Sequence, residues 1–271
     1  MIEDYDMDKQ KIKVLAINTS PRKGRNTDQL LDEVVAGCLS VSAVTGKGAD
    51  TGTAGTGSAA GSDNTGTAGY GTDLGLGSAS ADPARTVEVE VKRMGVYEAA
   101  DEELKFCRGC WACAKTGSCV CGDDFIKQIH DAIAESDVVI FGVPVYFYSV
   151  TAQCKAIMDR ALAYMPIGNG KVSATAITCG SAGVASTLQA MQSFYSCNDF
   201  IDAGWVATYG KTSDKLKGKE VAYGLGRKAV RLAAMLKGTY DAAKVAKDAG
   251  DGELLEDLEH SNHFAYGTHT F

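Results

Sequence analysis

The chain has 271 residues, a hydrophobic fraction of 45% and a formal net charge of −7. The apolar content suffices for one sizeable core, while the acidic balance argues against nucleic acid or an anionic membrane as a main partner. No apolar run approaches the roughly 18 residues of a membrane-spanning helix. Residues 1–10 are polar and acidic, without the apolar segment of a signal peptide, so we expect a flexible N-terminus and a cytoplasmic protein.

Hydrophobic patterning predicts strands and helices that alternate along residues 11–237. Strands are predicted at residues 11–18, 86–91, 137–143, 171–179 and 201–209. Helices are predicted at residues 28–39, 124–135, 152–163, 188–194 and 223–237. This alternation predicts an α/β fold with one parallel sheet and helices on both faces. Ligands of such sheets bind beyond the carboxyl ends of the strands, where the loops 19–27, 144–151 and 180–185 are expected.

Two segments fall outside this pattern. Residues 40–85 consist mainly of Gly, Ala, Ser, Thr and Asp, with imperfect Gly-Thr repeats. Such a composition cannot bury enough apolar area to offset its ordering entropy, so we expect a disordered surface insertion. A glycine-rich phosphate loop is the alternative, although neither a strand before it nor a helix after it is visible. Residues 238–271 are expected to form a polar C-terminal tail.

The segment after the first strand, Thr19-Ser20-Pro21-Arg22-Lys23-Gly24-Arg25-Asn26-Thr27, combines hydroxyls, an amide and cations. It opens a helix, and a helix N-terminus with free backbone N–H groups attracts an anion. The segment lacks the glycine spacing of dinucleotide folds and the Gly-Lys-Ser/Thr of nucleoside triphosphatases, so it suits a terminal monophosphate. The predicted donors are Ser20, Arg22, Asn26 and Thr27. A polar connection with an ordinary N-cap at Asn26 or Thr27 is the alternative.

Two further loops are predicted at the same edge of the sheet. The third strand leads into Pro144-Val145-Tyr146-Phe147-Tyr148-Ser149. Such a loop is suited to stacking on a flat ring while its backbone meets the polar edge of that ring. Aromatic packing under a loop or at a subunit contact is the alternative. After the fourth strand, Gly180-Ser181-Ala182-Gly183 has glycines that allow close backbone approach to a ligand.

Five of the nine cysteines lie within residues 107–121. In a reducing compartment such clustering indicates metal or redox chemistry rather than disulfides. Cys107, Cys110 and Cys113 have the compact spacing that groups three thiolates around one corner of a cube, and Cys119 is the predicted fourth ligand, with Cys121 in reserve. Zinc, or a loop of thiols that only pack or undergo redox chemistry, are the alternatives.

These motifs together resemble a known family. The segment AINTSPRKGRNT, the PVYFYS loop with Lys155 and Asp159-Arg160 downstream, and the cysteine loop ending in Asp123-Asp124 resemble the flavodoxin-like NAD(P)H-dependent FMN reductases, and among them the iron–sulfur flavoproteins. The resemblance covers residues 11–237 apart from the insertion. Relatives often have Gly where this chain has Asn18 or Thr19, a departure that leaves the phosphate donors in place.

The resemblance implies a flavodoxin-like three-layer sandwich whose five-stranded parallel sheet has the order 2-1-3-4-5, with FMN at its carboxyl edge. In this scheme the donors named above hold the FMN phosphate, residues 144–149 line the isoalloxazine, and Gly180, Ser181 and Gly183 lie on its far side. The cysteine loop would bind a [4Fe–4S] cluster.

The implied function is an FMN-dependent oxidoreductase that passes electrons from NAD(P)H or a reduced ferredoxin to an acceptor, in a homodimer or homotetramer. A flavodoxin-like electron carrier without its own substrate is one alternative. A flavin-only NAD(P)H:quinone or FMN reductase is another. A cofactor-free or zinc-bound interaction protein is the third.

Overall fold

A computed structural model of the chain describes residues 9–43, 86–100, 104–122, 124–214 and 216–248. The strands are β1 (Lys9–Asn18), β2 (Thr86–Gly95), β3 (Val138–Pro144), β4 (Val172–Cys179) and β5 (Ile201–Tyr209). The helices are α1 (Asn26–Ala43), α2 (Ala112–Thr116), α3 (Phe125–Ala134), α4 (Ala152–Arg160), α5 (Val184–Cys197) and α6 (Leu216–Asp248).

The strands form one sheet in the order β2-β1-β3-β4-β5, and every neighbouring pair is parallel. Every residue of β3 and β4 is buried, because helices cover both faces of the sheet at its centre. Edge strand β5 instead has buried, half-buried and exposed positions. The predicted parallel α/β sheet and its strand order are confirmed.

Two hydrophobic cores lie on opposite faces of the sheet. Successive side chains of a strand point to opposite faces, so β1 places Leu15 and Ile17 in one core and Ile12 and Val14 in the other. The first core is completed by α3, α4 and α5, and the second by α1 and α6. The result is a helix–sheet–helix sandwich of three layers, as expected.

The predicted ends of the first and last helices were wrong, because amino-acid composition is a weak indicator of where a helix ends. Helix α1 continues to Ala43, past the predicted start of the insertion, because Val41 packs on the core and Ser42 Oγ accepts a 2.9 Å hydrogen bond from Val89 N. Helix α6 spans residues 216–248 instead of 223–237, so residues 238–248 are helical rather than part of a tail. Their alanines and lysines are strong helix formers.

Residues 188–194 lie in α5, as predicted. Smaller differences concern β1 and β2, which are longer than predicted, and α4, which gives way to a 3₁₀ turn at Ala161–Tyr164. The rest of the expected insertion (44–85), the first eight residues and the end of the expected tail (249–271) lie outside the described residues. Within the described ranges, no helix is both long and apolar enough to cross a membrane.

Candidate functional site

The carboxyl ends of the strands bring the three predicted loops together, and hydrogen bonds connect them. Thr151 Oγ1 donates to the carbonyl oxygen of Thr19 (3.0 Å), which joins the aromatic loop to the loop after β1. Val145 N donates to the carbonyl oxygen of Thr178 (2.8 Å), so the aromatic loop is also bonded to the carboxyl end of β4. The loops at this edge are therefore connected by hydrogen bonds.

The loop after β1 is folded back on the first turn of α1 by two polar side chains. Asn18 Nδ2 donates to Asp28 Oδ1 (2.6 Å), and Asn18 Oδ1 accepts from Ser20 N (2.8 Å). Asp28 also accepts from the backbone N–H of Gly24, whose φ of +70° is natural for glycine. Asn18 thus stabilises the loop.

The same loop has the electrostatics of an anion site. The side chains of Arg22, Lys23 and Arg25 are exposed around it. The first N–H groups of a helix have no carbonyl partner within that helix, and they give its N-terminus a partial positive charge. The buried Ser20 hydroxyl accepts from Arg22 N at 3.2 Å and donates to the Arg22 carbonyl oxygen at 3.5 Å. These groups fit a phosphate.

Two of the predicted phosphate donors use their side chains elsewhere. Asn26 Nδ2 donates to the carbonyl oxygen of Gly210 (2.8 Å), and its Oδ1 accepts from Thr212 N (3.4 Å). The buried Thr27 hydroxyl bonds the Thr178 hydroxyl at 2.9 Å. Both side chains therefore connect the loop to β4 and to the turn after β5. Asn26 and Thr27 can still donate their backbone N–H groups to an anion. The 210–212 turn was not predicted as part of this edge, although it too follows a strand directly.

The aromatic loop is a tight hairpin with an unusual backbone. Tyr146 N donates to Ser149 O (2.9 Å), and Ser149 N donates back to Tyr146 O (3.1 Å). The two central residues, Phe147 and Tyr148, have φ values of +49° and +66°, which are rare and costly for bulky side chains. Phe147 is also 100% exposed. Strain and exposure at adjacent aromatic residues are typical of a ligand contact rather than of packing under a loop.

The turn after β4 lies directly against this hairpin. Gly183 has a φ of +101°, and a Cβ atom built there would lie 2.7 Å from Val145 Cγ1. Ser186 Oγ donates to the carbonyl oxygen of Tyr148 and fixes the hairpin from the same side. Gly180 and Ser181 remain exposed, while Pro144 is buried at the end of β3. The absence of a side chain at Gly183 thus allows the turn to approach the hairpin closely.

All five clustered cysteines line one cavity of about 400 Å³, together with Arg160 and the exposed Trp111. Cys107 and Cys110 are exposed, Cys113 and Cys119 are half-buried, and Cys121 is buried. No three His, Cys, Asp or Glu side chains in the described ranges converge as a single metal ion requires. Cysteine thiolates are ligands of both iron–sulfur clusters and zinc, and the five cysteines of the cavity exceed the four that either group takes.

Sequence reasoning assigned no role to the buried Arg160, which forms the inner wall of this cavity. Its Nη1 donates to the Lys105 carbonyl oxygen (3.1 Å) and to the buried carboxylate of Asp124. Burial raises the pKa of the Cys119 thiol, but a backbone hydrogen bond at Cys121 and the Arg160 guanidinium outweigh it and leave the pKa below the usual cysteine value. A lowered pKa favours the thiolate, which is the form that binds metals.

A parallel sheet in the order 2-1-3-4-5 is the flavodoxin-like fold. The solved structure of RosB with bound 8-demethyl-8-formylriboflavin-5′-phosphate shares this fold at 14% identity, with a TM-score of 0.52 over 88% of this chain and 87% of that chain. Residues 71–209, just over half of the chain, match the family model of NADPH-dependent FMN reductases. The chain belongs to this family, and is therefore an FMN-dependent oxidoreductase.

Curated relatives narrow the placement within the family. An iron–sulfur flavoprotein of Methanocaldococcus jannaschii is 33% identical over 157 residues, which cover 51% of this chain and 79% of the relative. One of Clostridioides difficile is 39% identical over 69 residues, covering 26% of this chain and 31% of the relative. One of Archaeoglobus fulgidus is 35% identical over 86 residues, which cover 31% of this chain and 39% of the relative. The resemblance drawn from the motifs is confirmed.

Proposed function

We propose that this oxidoreductase binds FMN at the edge loops and a [4Fe–4S] cluster in the cysteine loop, and passes electrons from NAD(P)H or a ferredoxin-type donor to an acceptor. The observation that carries the proposal is the single cavity lined by all five clustered cysteines. The names of the three relatives above point in the same direction, since each is an iron–sulfur flavoprotein.

For FMN, the proposed phosphate site consists of the Ser20 hydroxyl, the Arg22 guanidinium and the first backbone N–H groups of α1. The hairpin of residues 144–149 and the turn at Gly180, Ser181 and Gly183 would bracket the isoalloxazine. Bound FMN supplies hydride acceptance and one-electron release. The hairpin's aromatic side chains would keep water from the ring, and nearby backbone N–H groups would stabilise negative charge on it.

For the cluster, the proposed ligands are Cys107, Cys110, Cys113 and Cys119, with Cys121 as the alternative fourth ligand. Such a cluster supplies single-electron transfer. Cys107 and Cys110 are exposed, so the cavity opens to the surface, where an electron partner could dock. The same openness favours the electron-carrier alternative, in which a protein partner replaces the small-molecule substrate.

Anaerobic purification followed by an absorption spectrum and by flavin, iron and sulfide quantification tests the assignment. We expect both flavin and iron in the wild-type protein, and Cys110→Ser is expected to lose the iron but keep the flavin. Cys197→Ser, a cysteine outside the cavity, is the matched control and should keep both. A yellow protein without iron would support the flavin-only alternative, and a colourless protein that takes up no FMN would contradict the whole proposal.

The phosphate site has its own test. Ser20→Ala removes a hydroxyl from the proposed phosphate contact, and hydrogen bonds to charged groups contribute about 1.5–3 kcal/mol. We expect the Kd for FMN to rise by about tenfold or more, while the Kd for riboflavin, which lacks the phosphate, stays unchanged. Ser213→Ala, an exposed serine bonded to Asp214, is the control. Equal losses for both flavins in Ser20→Ala would place the phosphate elsewhere.

Steady-state oxidation of NADH and NADPH with quinone or ferric acceptors separates the enzyme from the carrier. Turnover supports the proposed oxidoreductase. Absence of turnover together with rapid electron exchange with a ferredoxin would support the carrier.

A further inference from the structure

Arg160 is a buried cation in the wall of the cysteine cavity. It is the last residue of α4, and it is only 1% exposed. A buried guanidinium is costly unless its charge is paired and its N–H groups are bonded. The contacts that offset this cost therefore indicate what the residue is for.

One guanidinium nitrogen holds both ends of the cysteine loop. Nη1 donates to the Lys105 carbonyl oxygen, just before the first clustered cysteine, and to Asp124, just after the last. Lys105 Nζ reinforces the closure by donating to the Cys121 carbonyl oxygen at 3.1 Å. Arg160 thus joins two loop ends that lie about twenty residues apart in sequence.

The other two nitrogens have no such partners. Nε and Nη2 are buried and make no hydrogen bond among the described residues. An arginine kept only to pair with Asp124 would not need to bury two unused donors, because leaving them unsatisfied is destabilising. Arg160 and Cys119 line the same cavity, so a cysteine sulfur there is available as an acceptor for the spare donors.

We propose that Arg160 is the positioning residue of the cysteine cavity, and that its guanidinium donates to the sulfur of Cys119 and raises the reduction potential of the bound cluster. This inference rests on the proposed cluster. Hydrogen bonds to ligand sulfurs and local positive charge both stabilise the more negative, reduced form of an iron–sulfur cluster. The planar fork of arginine serves both purposes, since one nitrogen can hold the loop while the others face the sulfur.

Redox titration of the cluster, followed by electron paramagnetic resonance on the anaerobically prepared full chain, tests the proposal. Arg160→Gln should shift the cluster potential to more negative values, whereas Arg160→Lys, which keeps the charge, should restore part of the difference. Lys219→Gln removes a cation of α6 that pairs with Glu33, and because neither residue lines the cavity it should leave the potential unchanged. Iron content is measured alongside, because a purely structural role would lower occupancy without moving the potential.

The outcomes separate this inference from the function on which it rests. Wild-type protein that binds FMN but no iron refutes the cluster, and this inference with it. Wild-type protein that loads iron, with Arg160 variants at the wild-type potential, refutes the role of Arg160 alone. If Arg160→Gln does not retain iron, Arg160→Lys decides, because a partial negative shift supports the proposal and an unchanged potential overturns it.

Discussion

Gly183 and Tyr148 lie in direct backbone contact, so close that a Cβ atom at position 183 would come within 2.7 Å of the Tyr148 Cα atom. This contact joins the turn after β4 to the strained aromatic hairpin. Both elements belong to the proposed flavin site, so the shape of the site depends on the missing side chain of Gly183.

Gly183→Ala is therefore expected to weaken FMN binding. The new methyl group would push the turn away from the hairpin, and the positive φ adds a conformational cost of about 1–3 kcal/mol. The Kd for FMN, measured by quenching of flavin fluorescence, should rise severalfold, and the apoprotein should unfold at lower urea. Gly180→Ala, where a Cβ meets nothing within 4 Å, should leave the stability of the apoprotein unchanged. Equal stability of the two variants would contradict the steric argument.

A second glycine is required by the packing of α1 against α6. A Cβ at Gly226 would lie 1.9 Å from the Val34 carbonyl oxygen, a clash with backbone that no side-chain rotation relieves. We expect Gly226→Ala to reduce the free energy of unfolding by at least 1–3 kcal/mol, about the cost of overpacking a core.

Gly224→Ala is the matched control, because it makes the same change in the same helix where nothing lies within 4 Å. Alanine is the better helix former by about 1 kcal/mol, so this variant should be slightly more stable than the wild type. Chemical denaturation measures the change in the free energy of unfolding, which should be negative for Gly226→Ala and slightly positive for Gly224→Ala. A stabilised Gly226→Ala would mean that α1 and α6 do not approach so closely.

Sequence patterning predicted the sheet well because its centre obeys a simple rule. The apolar run of β3 is continuous, and only a strand buried on both faces tolerates that composition. The site could be predicted as far as its loops, since the topology places every strand's carboxyl end at one edge.

The side-chain partners could not be predicted, because they come from distant parts of the chain. Asn26 bonds residues of the 210–212 turn, 184 or more positions away, and nothing near Asn26 in sequence indicates that turn. The pairing of Arg160 with Asp124 spans 36 positions and depends on how α4 packs beside α3. Local motifs thus identify which loops meet, while tertiary packing decides which atoms remain available to a ligand.

His130 should make the protein less stable in mild acid. Its ring is buried against Tyr164, its Nε2 bonds the Ile157 carbonyl oxygen, and its Nδ1 has no partner among the described residues. Burial lowers the pKa of His130 to about 4, and the charge of Arg160 acts in the same direction. The hydrogen bond to Ile157 and the charges of Asp124 and Asp131 raise the pKa, but they do not offset the effect of burial. In the unfolded chain His130 therefore binds a proton near pH 6.5, whereas in the folded chain it stays neutral until the pH falls towards 4.

The stability that depends on a neutral His130 is complete above pH 6.5 and is lost as the pH falls towards 4, by about 3 kcal/mol in total. His130→Gln cannot take up that proton, so urea unfolding between pH 7 and pH 4.5 should show a shallower pH dependence than in the wild type. Identical slopes for the two proteins would show that the unfolding proton binds elsewhere.

Asp124 offers a test of the buried ion pair that does not depend on any cofactor. Its side chain caps α3 by accepting from Lys127 N (2.9 Å), and it neutralises Arg160. Asp124→Asn keeps an effective N-cap but leaves the guanidinium buried without a counter-charge, which typically costs about 3–5 kcal/mol.

Asp131→Asn removes the same charge from the same helix, but its partner Lys127 is solvent-accessible and an exposed i,i+4 pair contributes only about 0.5 kcal/mol. Urea unfolding of the two apoproteins at pH 7 should therefore differ by several kcal/mol. If both substitutions changed the free energy of unfolding by small and similar amounts, the claim that Arg160 is shielded from water would be wrong. Water would then have to reach its guanidinium through the cysteine cavity.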